Sequence, residues 1–243
     1  MQIALRSPLR VWIRVLAAGV GLAAAGCAAL GISAPGELLG TARSEATIAA
    51  GLREALQFGA ERSVSQASRP GGFLDDPRVR IPLPPQLDKL GRGLRALGFD
   101  GTVDDLEVAM NRSAERAARE AQGPLVGAVA GLRIADARAI LAGPGDAATQ
   151  YLRRESEAAL RERFAPVVES AMRSAGVYRA FEDLLSRNRA LALLPSPTVE
   201  LNRYVTEETL DGLFTLIASE ERRIRSDPAA RTTDLLRAVF GEP

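Results

Sequence analysis

The residues able to do chemistry in this chain form a short set: Asp, Glu, Arg, Tyr, Ser, a single Cys and no His. Without imidazole there is no Ser-His-Asp or Cys-His nucleophile, no histidine acid–base catalysis and no His-ligated metal. One thiol, Cys27, permits neither an internal disulfide nor a thiolate cage. No Walker loop, GxGxxG, nucleophile elbow or EF-hand is spelled out, so neither a cofactor nor a metal is expected. Carboxylate chemistry remains. Paired acids hydrolyse glycosides, and Asp104-Asp105 or Glu220-Glu221 can be nominated for that role. Adjacent residues on a helix point about 100° apart, however, so both pairs read as solvated helix faces.

Two other groups could meet a ligand. In Gly143-Pro144-Gly145-Asp146 followed by Tyr151, Arg153 and Arg154, a glycine-bounded helix start exposes backbone N–H groups with arginines two turns on. An anion or carboxylate can dock on such an end. Asp146 already offers a negative cap there, and a capping role competes with the ligand role. Arg78 and Arg80 lie in a proline-rich stretch, where pairing with Glu or Asp on helices beneath is the structural reading and ligand or partner contact the functional one.

The N-terminus reads as an address. Arg6, Arg10 and Arg14 precede the apolar run Val15 to Ala25, which falls well below the about 20 residues of a spanning helix but suits a secretory signal. It ends Leu22-Ala23-Ala24-Ala25-Gly26-Cys27, and small residues directly before a cysteine resemble the bacterial lipobox. Cleavage between Gly26 and Cys27 with acylation of Cys27 is the expectation; a secretory cut at an Ala-x-Ala site and an uncleaved anchor are the alternatives. Acyl chains at about 0.8 kcal/mol per buried methylene would moor the chain to a membrane without spanning it. Ala28, in place of an Asp, implies the outer membrane. Residues 1–26 are thus expected as signal, 27–43 as a flexible tether of mostly small residues with Gly31, Ser33, Pro35, Gly36 and Gly40, and 44–243 as the folded domain.

The elements that must position these residues are helical. Ala and Leu abound, aromatics are 5%, and alternating β-branched runs are scarce. Thr47 is the expected cap of a helix reaching about Ser65. Arg69 to Pro85 holds five prolines, with Val79, Ile81 and Leu83 alternating with Arg80, Pro82 and Pro84, and is expected as an extended strap across the helices. Further helices are expected over Leu87 to Leu97, from Thr102, around Leu125 to Leu132, and from Ile134 to Leu141. A long helix follows Asp146, with a kink or restart near Pro166 and a stop at Gly176. One more lies around Tyr178 to Leu185, one is capped by Thr206 and ended by Asp227-Pro228, and the last spans Asp234 to Phe240.

Several segments carry a family resemblance: Gly72-Phe73-Leu74-Asp75-Asp76-Pro77-Arg78-Val79-Arg80-Ile81-Pro82-Leu83-Pro84, Ala109-Met110-Asn111-Arg112, Asp146-Ala147-Ala148-Thr149-Gln150-Tyr151, and Asp211-Gly212-Leu213-Phe214 with Ile224-Arg225 and Pro228 to Leu236. Together they resemble the bacterial envelope proteins grouped as the domain-of-unknown-function 4197 family, over about residues 44 to 241. The resemblance implies a mostly helical single domain, often with lipoprotein-type signals, and no established activity or catalytic residue. The expected fold is therefore all-α, one domain of about eight or nine helices with a proline-rich strap. With 31 Lys+Arg against 30 Asp+Glu, no basic field points to nucleic acid. A lipid-anchored periplasmic component that binds or scaffolds an envelope partner is the expected function, and a carboxylate-dependent hydrolase acting on an envelope polymer the alternative.

Overall fold

A computed structural model describes residues 45–85, 87, 88, 92, 100–179 and 197–240. All of them belong to one compact unit, residues 43–243. Seven α-helices make up its described part: α1 Glu45–Ser68, α2 Asp100–Ala117, α3 Gln122–Ala130, α4 Ile134–Ala142, α5 Ala147–Ser174, α6 Pro197–Ser226 and α7 Asp234–Phe240. No strand occurs among the described residues, so the domain is all-α. The expected signal, tether and Cys27 lie outside the described residues, as do most of the expected helices at Leu87 to Leu97 and Tyr178 to Leu185.

The long helices form because their exposed faces are built from good helix formers laced by Arg–Glu pairs one turn apart. On α5 these are Arg153–Glu157, Glu157–Arg161 and Glu169–Arg173. The opposite stripe of α5, Leu152, Leu160, Phe164, Val168 and Met172, is fully buried. Each such side chain contributes about 1.5–3 kcal/mol through the apolar surface it removes from water. That stripe packs against α2 on one side and α6 on the other, while α1 packs on α6, α3, α4 and α7. Polar residues caught on buried faces satisfy themselves locally: Ser63 Oγ donates to the Gly59 carbonyl at 2.7 Å and Ser156 Oγ to that of Leu152 at 2.6 Å.

Several helix boundaries differ from expectation. α1 begins at Glu45 and α2 at Asp100, each two residues ahead of the expected Thr47 and Thr102 caps. Helix α5 runs unbroken through Pro166 with no restart. The carbonyl deprived of a donor there belongs to exposed Glu162, within reach of water. The largest correction concerns α6, which starts at Pro197, nine residues before Thr206. Proline at a first helical position has the required φ and lacks an N–H that would be unpaired anyway. Thr206 lies at 2% exposure in mid-helix, so the acids after it do not occupy a first turn. The ends at Gly143, Ser174 and Ser226 and the whole of α7 agree with the sequence reading.

Candidate functional site

The strap runs between α2 and α6 and buries Phe73, Val79, Ile81 and Leu83. The strap is not extended throughout as expected: residues 70–79 are mostly turns closed by their own backbone, with the Asp75 N–H donating to the Gly71 carbonyl at 3.0 Å and the Arg80 N–H to that of Asp76 at 2.9 Å, and only residues 80–84 run free of turns. The buried polar groups this leaves over need partners from elsewhere. Helix α2 supplies them from Asn111 and Glu115, one turn apart and therefore on one face. The fully buried Asn111 amide accepts the Ile81 N–H at 2.9 Å and donates to the Ile81 carbonyl at 2.9 Å. It thus serves Ile81 as a neighbouring strand would. Glu115 Oε1 accepts the N–H groups of Phe73 and Leu74, both at 3.3 Å, and its Oε2 takes the Arg112 guanidinium at 2.7 Å. The sequence reading assigned no role to either residue. The one available signal was that buried backbone between prolines, where helix and sheet bonds are denied, must be paired by side chains.

Helix α6 forms the other wall. At Gly212 a Cβ atom would lie 2.5 Å from Phe73 Cε1, so only glycine lets that ring reach the helix backbone. Tyr204 donates its hydroxyl to the Pro82 carbonyl at 3.1 Å, and burial pushes its phenol up to about 12. Of the two strap arginines, Arg80 pairs with a helix beneath, at 2.7 Å from Glu107 on α2. Arg78 instead grips Asp76 within the strap at 2.6 Å, and that guanidinium holds the Asp76 carboxyl below its ordinary value. Towards α6 it donates to the Ser219 hydroxyl at 3.3 Å.

The start of α5 is the second built feature. Asp146 is the capping residue by position, yet its carboxylate caps no backbone N–H and instead accepts from the Gln150 amide at 3.0 Å. The N–H groups are met from across the fold by Glu221 on α6: Oε1 accepts from Ala148 at 3.0 Å, and Oε2 from Thr149 N–H and Oγ1, both at 2.8 Å. A carboxylate suits the positive end of a helix. Arg225, one turn on, donates to Glu221 Oε1 at 2.9 Å and to the Ile140 carbonyl near the negative end of α4 at 3.0 Å. One Glu–Arg pair thereby clamps both helix ends flanking the Gly143–Asp146 turn. Glu221 has a side chain only 9% exposed, which corrects the expected solvated face. Its neighbour Glu220 turns to Arg223 at 2.7 Å, so the two carboxylates diverge.

The remaining nominated residues do not converge. Tyr151 is buried and donates to the Ala128 carbonyl at 3.1 Å. Arg153 bonds Asp211 on α6 at 2.7 Å and stacks 4.6 Å from the Phe214 ring, whereas Arg154 pairs with Glu155 and lies over Tyr151 at 5.5 Å. Arg161 bridges Glu157 and Glu207 at 2.7 Å each, and it draws the Glu207 carboxyl below its ordinary value. Glu208 has its carboxyl raised, chiefly by burial and secondarily by Asp211 one turn away, which Arg153 already holds. Among the described residues no three His, Cys, Asp or Glu side chains gather as a metal site.

Fold and contacts together define an all-helical domain whose buried polar side chains brace a proline-rich strap and a helix–helix turn. The chain belongs to the family described as protein of unknown function (DUF4197), whose model matches residues 42–241. No curated protein and no solved structure matches it.

Proposed function

We propose that the chain is a lipid-anchored component of the bacterial envelope, held on the periplasmic face of the outer membrane through Cys27. Its helical domain acts there as a binding or scaffolding element for an envelope partner. The observation that carries this reading is the position of the lone cysteine, directly after Leu22-Ala23-Ala24-Ala25-Gly26 and a short apolar run. No described helix is long and apolar enough to cross a membrane, so anchorage of the described domain would come from acyl chains.

The disposition of the acids supports binding over hydrolysis. Carboxylate catalysis needs two acids facing one cleft with separated pKa values. Here Glu115 and Glu221, both with nearly buried side chains, are spent on backbone N–H groups and arginines. Metabolic labelling with a palmitate analogue tests the anchor: wild type should take up label and Cys27→Ala should not. Equal labelling of the two, or none on wild type, overturns it. In-cell crosslinking should then recover a reproducible envelope protein; consistent recovery of the chain alone overturns the scaffolding role.

A further inference from the structure

We propose that the guanidinium cluster of Arg62, Arg78 and Arg223, where α1, the strap and α6 meet, is a binding site for a phosphate group. This gives the binding reading above a ligand class and rests on it. Two carboxylates lie in the cluster, and each already has a guanidinium of its own. Arg78 grips Asp76 through both arms of its fork, at 2.9 and 2.6 Å, and the Gln66 amide of α1 adds a third bond at 3.0 Å. Arg223 donates twice to Glu220 Oε2, at 3.0 and 2.7 Å.

Arg62 comes in addition. Its Nε stands 3.9 Å from the same Glu220 oxygen, an ion pair without a hydrogen bond, and it has no other partner among the described residues. Arg78 reaches α6 at Ser219, and the charge of Glu220 bears on it too. Three guanidiniums from three chain segments therefore meet two carboxylates, which leaves one positive charge over. Arg222, one turn after Ser219 on α6, is exposed and adds a second. The side chains of Arg62, Arg78 and Arg223 are 55%, 50% and 37% exposed, so solutes reach their remaining N–H groups. An ion pair this exposed is weak, and the Arg62–Glu220 contact does not hold Arg62 away from a stronger anion.

The forks indicate the occupant. A carboxylate has its two oxygens in one plane and is served by a single guanidinium, as Asp76 is by Arg78. Donors arriving from α1, the strap and α6 suit a tetrahedral anion, whose oxygens point in several directions. A phosphate group also brings a charge of about −1.5 to −2 near neutral pH, more than the single charge of Glu220.

Isothermal titration calorimetry tests the site on the full chain in nonionic detergent and a phosphate-free buffer. The probes are inorganic phosphate and the short-chain lipid dihexanoyl phosphatidic acid. Wild type should bind phosphate with a Kd of about 1 mM or below. Arg62→Gln, which breaks no hydrogen bond, should weaken binding at least about fivefold and leave the melting temperature unchanged. Glu220→Gln, which removes the competing charge, should tighten binding about threefold or more. Arg163→Gln makes the same change in net charge as Arg62→Gln, on α5 and outside the cluster, and should stay within about twofold of wild type. Equal affinities for the two probes support the site with free phosphate as its ligand. Phosphatidic acid bound at least about tenfold tighter supports it with a lipid headgroup. No binding of either probe by wild type, an equal loss in Arg62→Gln and Arg163→Gln, or weaker binding by Glu220→Gln overturns the site. Absence of the palmitate label or of an envelope crosslink would leave these titrations unchanged, so the two readings fail separately.

Discussion

Glu221 and Thr149 meet through two hydrogen bonds of 2.8 Å, from the Thr149 N–H and hydroxyl to one carboxylate oxygen, although 72 residues separate them. The N-terminus of α5 is thus capped by a different helix. Removing that carboxylate orphans the Ala148 and Thr149 N–H groups and strips Arg225 of its acid.

Glu221→Ala should accordingly destabilise the domain by about 2–3 kcal/mol, combining a lost cap with a broken, largely buried pair. Asp146→Ala, at the nominal cap, should cost no more than about 0.5 kcal/mol, since its carboxylate accepts from the Gln150 side chain and caps no backbone N–H of the helix start. Urea unfolding of both variants checks the order. A larger loss at Asp146 would refute the remote cap.

Asn111→Ala should cost roughly 3 kcal/mol, since it leaves the buried N–H and carbonyl of Ile81 without partners. Exchange of the Ile81 amide should accelerate well beyond that of the α5 core amides. If both are accelerated equally, the strap does not depend on Asn111 locally.

Two glycine-to-alanine changes should have opposite signs. Gly212→Ala forces a methyl group into the Phe73 ring and should destabilise by about 1–3 kcal/mol net of any gain in helix propensity. At Gly59 the nearest atom to an added Cβ is Glu220 Cβ at 3.9 Å, an ordinary contact. Gly59→Ala should therefore stabilise α1 by about 0.5–1 kcal/mol. Thermal melts of the pair decide the matter, and a shared sign would contradict this packing.

Glu208→Gln should raise stability at pH 7, because burial penalises the ionised form of this carboxyl. The folded group titrates above its ordinary 4.5, so the penalty is absent below that value and sets in as pH rises through the folded pKa. The advantage of the variant should fade as pH is lowered and vanish below 4.5. A gain of equal size at pH 4 would point to a cause other than ionisation.

Much of the helical layout was legible because it is written in short-range signals. The Gly143-Pro144-Gly145 break, the stop at Gly176, the end at Asp227-Pro228 and α7 itself follow from backbone preferences of single residues. The same local reasoning misplaced the start of α6. A Thr followed by two acids looks like a cap until the buried surroundings of Thr206 and Thr209 reveal mid-helix, where the Thr209 hydroxyl donates to the Val205 carbonyl at 2.6 Å.

The site was less legible, since capping and clasping depend on which distant residue arrives. Asp146 was the right position for a cap, but Glu221 performs the capping. Arg78 and Arg80 are near neighbours in one strap, yet only Arg80 finds a helix carboxylate, because Asp76 engages Arg78 first.

Composition and spacing alone determined the all-α class, the place of the strap though not its turns, most helix ends, the absence of imidazole chemistry and the position of Cys27, because each depends on residue type or on neighbours within a turn or two. Only the tertiary structure decided that Asn111 and Glu115 hold the strap, that Gly212 admits Phe73, that Glu221 and Arg225 clamp the α4–α5 turn, and that Arg62 and Arg223 meet at Glu220. Those contacts join residues tens of positions apart, and a hydrogen bond or a van der Waals contact acts only over a few ångströms. Until packing brings two such residues within that reach, nothing in their order along the chain distinguishes partners from bystanders.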